Sequence, residues 1–353
     1  EEGAAAESLL SYHQDLLEQN IRSVSGTGGE RTILWCEAWN GTVFSARIEC
    51  NGEVSLRAAA HRLDEADARG AMDLPMADAP PRNERAAEVE AALTSGWKIF
   101  EPLLQELPAG RGIVFVGPSL LGSWPVDAAE SVRLGHAEVR PMVCAPTLRV
   151  AASARGSGKG PAASRILLVS YGGADLPGIQ RETQAIAAIY GSAITRLDGD
   201  SASRAQVMDA LKQPYEIIHF CGHGEFDYLE PMRSRLYFDD RKPDGFVTAA
   251  DILACGTIGH DPVVVMSACT SALVLPNGSN NFLGLAGALL RTGATSIVGA
   301  RWPIQDWVGA AFSEHFHSRF AAGSSVEAAV AHAKMQLRDA ALDEWSAFMC
   351  IGG

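Results

Sequence analysis

Long apolar runs are missing from this chain. None reaches the roughly 18 residues that a bilayer-spanning helix needs, so no membrane partner is expected. Cysteine pairs at metal-site spacing are missing too. The seven cysteines stand at 36, 50, 144, 221, 255, 269 and 350. Their number is odd, none forms a CxxC, and most sit inside apolar runs. That pattern predicts reduced thiols in a cytoplasmic setting rather than a disulfide framework or a structural zinc. Positive charge is in short supply: 29 Lys and Arg stand against 42 Asp and Glu, for a net charge of −13. A chain this acidic has little to offset phosphate repulsion over a wide face, which argues against direct nucleic-acid binding. Nucleotide fingerprints are also lacking. Neither GxGxxG nor a P-loop stands where a first strand–helix turn would need it, and "SYGGADLPG", the nearest approach, fits neither. No cofactor is expected.

What remains is ordinary for a globular protein: 47% hydrophobic and 20% charged residues over 353 positions, enough for two lobes. The chain opens "EEGAAAESLL", without an initiator Met or a signal-peptide core, and is expected to be a piece of something longer. Residues 4–22 read as a helix. "RTILWCEAW", "TVFSARIEC" and "EVSLRAA" read as an antiparallel meander joined by "NG" and "NGE". A polar, Pro-rich stretch around 63–84 predicts a loop, "NERAAEVEAALTSGWKIFEPLLQEL" an amphipathic helix, and "GRGIVFVGPS" a buried strand with a turn. The small, Gly-rich, basic segment 154–164, "ARGSGKGPAAS", reads as a linker. Beyond it strands and helices alternate from "RILLVSYG" to the last strand, "WSAFMCIG", which predicts an α/β fold: a mostly parallel sheet flanked by helices. The expected divisions are 1–25, 26–153, 154–164 and 165–353.

In an open α/β sheet, reactive residues collect at the carboxyl ends of strands. "IIHF" runs into Cys221-Gly222-His223-Gly224, and "VVVMS" runs into Ala268-Cys269. If those strands are neighbours, His223 and Cys269 meet at one rim, where an imidazole can turn the thiol into a thiolate nucleophile. The flanking glycines allow a tight loop, and the N–H groups of Gly224 and Cys269 are candidates for an oxyanion hole. Two plainer readings compete. A histidine at a strand end is often structural, and a buried cysteine is usually inert; His219 and Cys221 are read that way. A metal reading would use His219, Cys221 and His223, which alternation puts on one strand face.

Taken together, "IIHFCGHGEFD", "VVVMSACTSAL", "LGLAGALLRTGATSIVGARWPIQD", the terminal "EWSAFMCIGG" and, upstream, "GIVFVGPSLLGSWPVDAA" resemble the CHAT domain, a caspase-like family of cysteine peptidases related to separases. The resemblance runs from about residue 30 to the end. It implies a caspase-like fold with a non-catalytic half at 26–153 and a catalytic half at 165–353, and makes residues 1–25 the remnant of an upstream regulatory region, TPR repeats in many relatives. It implies a Cys–His endopeptidase with Cys269 as nucleophile and His223 as base, and assigns no third member. It further implies a protein substrate, a gasdermin-like pore-former or another effector, in bacterial defence or regulated cell death.

"RWPIQD", Arg301–Asp306, resembles the separase Trp-x-x-x-Asp segment, whose acid is implicated in accepting an arginine. Asp306 is therefore expected at the floor of a pocket selecting Arg over Lys, with Asp175 and Asp227 as lesser pocket candidates. The competing reading makes Asp306 a cap at the start of "WVGAAF". Arg301 is expected either to neutralise the pocket or to pair with an acidic substrate side chain. "TSALVLPNGSNN" is expected to be a mobile loop beside the nucleophile, and Arg155 and Lys159 are expected self-cleavage sites. The rivals to a peptidase are a catalytically silent interaction module on the same fold and a nucleotide- or cofactor-binding α/β protein.

Overall fold

The computed structural model describes residues 31–147 except 40–41, 51–53, 63–81, 105, 109, 118–123, 136–137 and 146, and residues 165–352 except 200–201 and 278–280. The expected helix at 4–22, both meander turns, most of the 63–84 loop and the linker with Arg155 and Lys159 lie outside these residues. Two compact units meet in sequence between Gly156 and Ser157.

In the first unit, β1 (Arg31–Trp39), β2 (Thr42–Cys50) and β3 (Val54–Arg62) pair antiparallel along their whole lengths. Strands β4 (Ile113–Val116) and β5 (Met142–Ala145) extend the sheet in parallel beside β1. Helix α1 (Arg82–Leu104) buries Val89, Leu93, Trp97 and Phe100, an i, i+4, i+8, i+11 stripe that makes one face of a helix. It starts inside the stretch read as loop. Trp124 stacks on Phe100, with ring centroids 5.3 Å apart, and lies over Gly96, where an added Cβ would sit 2.1 Å from the ring. Helix α2 (Val126–Arg133) follows, and its buried Glu130 accepts from Arg140 Nε at 2.6 Å. The same guanidinium donates to the carbonyls of Pro108 and Arg111, so this buried charge pair is fully engaged. Neither α2 nor β5 stands out in the sequence, because eight and four residues are too few for a clear period.

The second unit carries the strand order β16–β15–β12–β8–β6–β7: β6 (Ile166–Ser170), β7 (Ile194–Asp198), β8 (Ile217–Cys221), β12 (Val263–Ser267), β15 (Ser296–Ala300) and β16 (Phe348–Gly352). All pair in parallel except β16, which runs against β15. Strands β6, β8, β12 and β15 are buried at every position, as continuous apolar runs require in a sheet covered on both faces. From β6 the chain steps outward to β7 through α3 (Gly178–Tyr190), then returns past β6 to β8 through α4 (Arg204–Leu211). Right-handed crossovers therefore put α3 on one face and α4 on the other. Helices α5 (Ala249–Ala254) and α6 (Leu285–Arg291) continue in the second direction and pack on each other, while α7 (Asp306–Ala321) packs on α3 and α8 (Val326–Gln336). The reversal leaves a topological switch point between β6 and β8, the position at whose strand ends open α/β sheets place their ligand sites.

Capping matches the sequence where a hydroxyl stands ready. Ser203 with Gln206 and Thr248 with Asp251 form capping boxes at α4 and α5. Three small features were not anticipated. Strands β9 (Gly224–Glu225), β10 (Arg235–Tyr237) and β11 (Phe246–Thr248) form an accessory sheet, and a single turn, α9 (Leu342–Trp345), precedes β16. The stretch expected as a loop after Cys269 contains a hairpin, β13 (Leu275–Asn277) on β14 (Asn281–Leu283).

Candidate active site

Four parallel strands end at one rim, and each leads into a candidate residue. Strands β8 and β12 are adjacent and in register, Cys221 opposite Ser267. His223 and Cys269 each lie two residues beyond that pair, so the two loops leave the sheet at the same level. Gly222 N–H donates to Ser267 O at 3.2 Å, carrying the ladder one step further. At Gly224 an added Cβ would sit 2.3 Å from the carbonyl oxygen of Cys269. The histidine loop thus lies directly on the cysteine loop, and only glycine permits that approach. Gly222 is confined in the same way by Tyr237 O and Tyr171. Close approach, rather than an unusual φ, is what these two glycines serve.

Cys269 is partly exposed and Thr270, next to it, has φ +51°. A β-branched residue in the left-handed region is strained by about 1–3 kcal/mol. Neighbouring bonds hold the turn: Ala272 N–H to Ala300 O at 3.0 Å, Ala300 N–H to Ser271 Oγ at 3.2 Å, and Ser271 Oγ to Met266 O at 3.1 Å. Cys269 Sγ lies 3.8 Å from the carbonyl of Ile304, which brings the Arg301–Asp306 segment beside the thiol. Gly224 is paired with Leu236 on β10, and Tyr237 N–H donates to His223 O at 2.9 Å. That register makes Gly224 a non-hydrogen-bonded pair position, with its N–H directed away from β10.

His223 has a partner that sequence reading did not give it. Its Nε2 lies 2.6 Å from Oδ2 of Asp175, in the loop after β6. The His223 hydrogen bond leads the causes that hold the Asp175 carboxyl below its usual range. Tyr171, at the end of β6, meets the imidazole edge to face at 4.8 Å between centroids. Burial, then Asp240 and Asp175, push the tyrosine hydroxyl well above its ordinary pKa.

Asp306 is half-buried at the start of α7, but its carboxylate does not cap that helix. Oδ2 accepts from the N–H of Gly178, the first residue of α3, whose own N-cap position is Pro177 and supplies no side-chain bond. Burial raises the Asp306 carboxyl above its usual range, with Glu182 and Asp175 adding to the rise while the Gly178 N–H opposes it. Asp227 serves its own loop, its Oδ1 accepting from Leu229 N–H at 3.0 Å and Glu230 N–H at 2.8 Å. Arg301 corrects the expectation set for it. It is buried, and Nη1 donates to Phe348 O at 2.6 Å and Ser346 O at 3.0 Å, so it secures the approach to β16.

Beneath the rim runs a buried polar chain. Tyr190 Oη lies 3.0 Å from His317 Nδ1, His317 Nε2 lies 2.9 Å from His219 Nδ1, and His219 Nε2 lies 2.8 Å from Glu182 Oε1. Ser267 Oγ donates to Glu182 Oε2 at 3.1 Å. One direction of donation from the tyrosine to the carboxylate satisfies every atom. Donor atoms of Glu182, His219 and Cys221 lie within 4.8 Å of one another. The metal set considered from sequence is thereby divided: His219 and Cys221 join Glu182 inside, while His223 stands at the rim. Burial, then Glu182, push the Cys221 thiol far up, which suits an inert core cysteine.

A mostly parallel sheet flanked by helices, with a cysteine loop resting on a histidine loop at the strand ends, defines the caspase-like class of cysteine-peptidase folds. The CHAT domain matches residues 97–353, more than half of the chain, and the chain belongs to that family. Among solved structures it is similar to separase in the Saccharomyces cerevisiae separase–securin complex, with a TM-score of 0.66 at 10% identity over 95% of this chain and 31% of that one. The chain therefore spans about a third of the separase chain. It is also similar to the Arg-specific cysteine proteinase gingipain R of Porphyromonas gingivalis, with a TM-score of 0.47 at 9% identity over 81% of this chain and 72% of that one. No curated protein sequence matches.

Proposed function

We propose that the protein is a cysteine endopeptidase that cleaves a protein substrate after a basic residue, arginine before lysine. The single observation that carries this reading is the shared register of β8 and β12, which sets His223 and Cys269 equally far beyond a paired position on adjacent strands. His223 takes the thiol proton, and the Cys269 sulfur attacks the scissile carbonyl. The amine leaves with the proton from the imidazole, and water hydrolyses the acyl-enzyme. Gly224 N–H, turned away from β10, is a donor for the oxyanion.

The basic preference rests on charge. Asp306 follows two residues after the carbonyl that contacts the thiol, and the carboxylates of Asp175 and Glu182 add to the cost of ionising it. A bound guanidinium relieves that repulsion and offers planar donors that a lysine lacks. The substrate is read as an effector protein, a gasdermin-like pore-former or another partner in bacterial defence. An upstream region acts as regulator, the compartment is the cytoplasm, and residues 154–164 form a cleavable linker between the halves. No helix among the described residues is long and apolar enough to cross a membrane.

A peptide library varied at the residue before the scissile bond tests the reading. Cleavage after Arg, weaker after Lys and absent in Cys269→Ala, is expected. Preference for Asp or for small apolar residues removes Asp306 from the pocket, and cleavage that survives Cys269→Ala removes the mechanism. Fragments ending at Arg155 or Lys159 in the wild type, absent from Cys269→Ala, are expected from self-processing.

A further inference from the structure

The geometry points to Asp175 as a positioning residue for His223, the third member that family resemblance leaves unassigned, rather than as part of a specificity pocket. This deepens the peptidase reading and rests on it. Four contacts constrain the imidazole and the loop that meets it. Asp175 Oδ2 lies 2.6 Å from Nε2. Tyr171 stands against the ring at an interplanar angle of 79°. Tyr171 N–H donates to Cys221 O at 2.9 Å, at the end of β8, and Gly172 N–H to Phe238 O at 3.0 Å, just past β10, so the loop after β6 is tied to the elements on both sides of the histidine loop. Gly173 lets that loop pass over the tyrosine, since an added Cβ there would sit 2.2 Å from the Tyr171 ring. The sequence "SYGGAD" is thus a short strap that carries the carboxylate to the imidazole across the switch point between β6 and β8.

A carboxylate only accepts hydrogen bonds, so Nε2 must carry the proton in this pair and Nδ1 is left as the base. Nδ1 takes the proton as the S–H bond breaks. The sulfur lone pair forms the bond to the carbonyl carbon, and the C–N pair leaves with the amine. The amine nitrogen then receives the Nδ1 proton, while Asp175 stays ionised throughout, as the acid does in serine-protease triads.

Asp175 is exposed, so its substitution should leave folding intact. Asp175→Asn is expected to lower kcat by about 10²-fold with little change in KM for arginyl peptides, and Asp175→Glu to restore part of the loss. A raised KM for arginyl peptides with kcat retained would instead make Asp175 a pocket residue and overturn the proposal. Nitrogen-15 correlation spectra of histidine-labelled protein, assigned with His223→Gln, supply a readout that needs no catalysis. At a pH where the ring signals are those of neutral imidazole, the Nε2–H tautomer is expected in wild type and a shift towards Nδ1–H in Asp175→Ala. An Nδ1–H tautomer in wild type overturns the pairing even if the peptidase is real. The Nε2–H tautomer in a protein without Cys269-dependent cleavage upholds the pairing and overturns the peptidase reading.

Discussion

At the scale of residues, close packing leaves little room for added atoms where the two loops of the candidate site meet. Gly224 shows this most directly, because a methyl group there must displace the backbone of Cys269. Gly224→Ala keeps the backbone N–H but must move it, and is expected to reduce kcat by up to about 10²–10³-fold, the effect of losing one oxyanion donor outright, with the fold retained by circular dichroism. Wild-type kcat in that variant would show that the two loops are not held together as described. Cys269 and His223 were legible in the sequence because each follows an apolar strand directly, and strand ends are where chemistry gathers. The Asp175–His223 bond was not, since 48 residues separate the partners and only the strand order makes them neighbours. Asp306 was legible as an acid on the segment that meets Cys269. Its bond to Gly178 was hidden, because that bond depends on α3 and α7 packing side by side.

At the scale of elements, the buried chain from Tyr190 to Ser267 joins α3, α7, β8 and β12 behind the rim. His219 reads from the sequence as a structural histidine within an apolar strand. Its partners carry a signal as well: Glu182 falls on the buried stripe Ile179, Glu182, Thr183 and Ile186 of α3, and His317 sits between buried Phe316 and Phe320 on α7. A polar group on such a stripe needs a partner, but the pattern does not name it. Glu182→Ala, which leaves the His219 N–H and the Ser267 hydroxyl without their acceptor, is expected to cost about 1–3 kcal/mol for each stranded donor, read from the urea midpoint. Burial, with His219 adding, pushes His317 well below the usual 6.5. The unfolded chain therefore takes up that proton first. The stabilising difference is complete above 6.5 and is lost as pH falls below it, by at most about 1.4 kcal/mol per pH unit. Denaturant titrations at pH 7.5 and 5.5 should show this fall in wild type and a smaller one in His317→Gln. Equal slopes would mean that His317 does not stay neutral on folding. The accessory strands β9 to β11, two or three residues each, escaped notice because no hydrophobic period can be read over so few positions.

At the scale of the whole molecule, the excess of acidic residues acquires a local meaning around Asp306. A carboxyl raised by burial and by neighbouring carboxylates binds a guanidinium best when ionised, so KM for arginyl peptides should rise as the pH falls towards its titration. KM for peptides with a neutral residue at that position should not follow. Asp306→Asn keeps an acceptor for Gly178 N–H and removes the charge; it is expected to lower kcat/KM for arginyl peptides by about 10–100-fold, the worth of a charge-assisted hydrogen bond. An unchanged preference for arginine would place the selecting acid elsewhere. The central claim, that Cys269 is a nucleophile served by His223, is tested most directly by labelling with an arginyl acyloxymethyl ketone and mapping the adduct by mass spectrometry. The account predicts a single adduct on Cys269, lost in His223→Ala. An adduct on another cysteine, or labelling of Cys269 that is indifferent to His223, would contradict it.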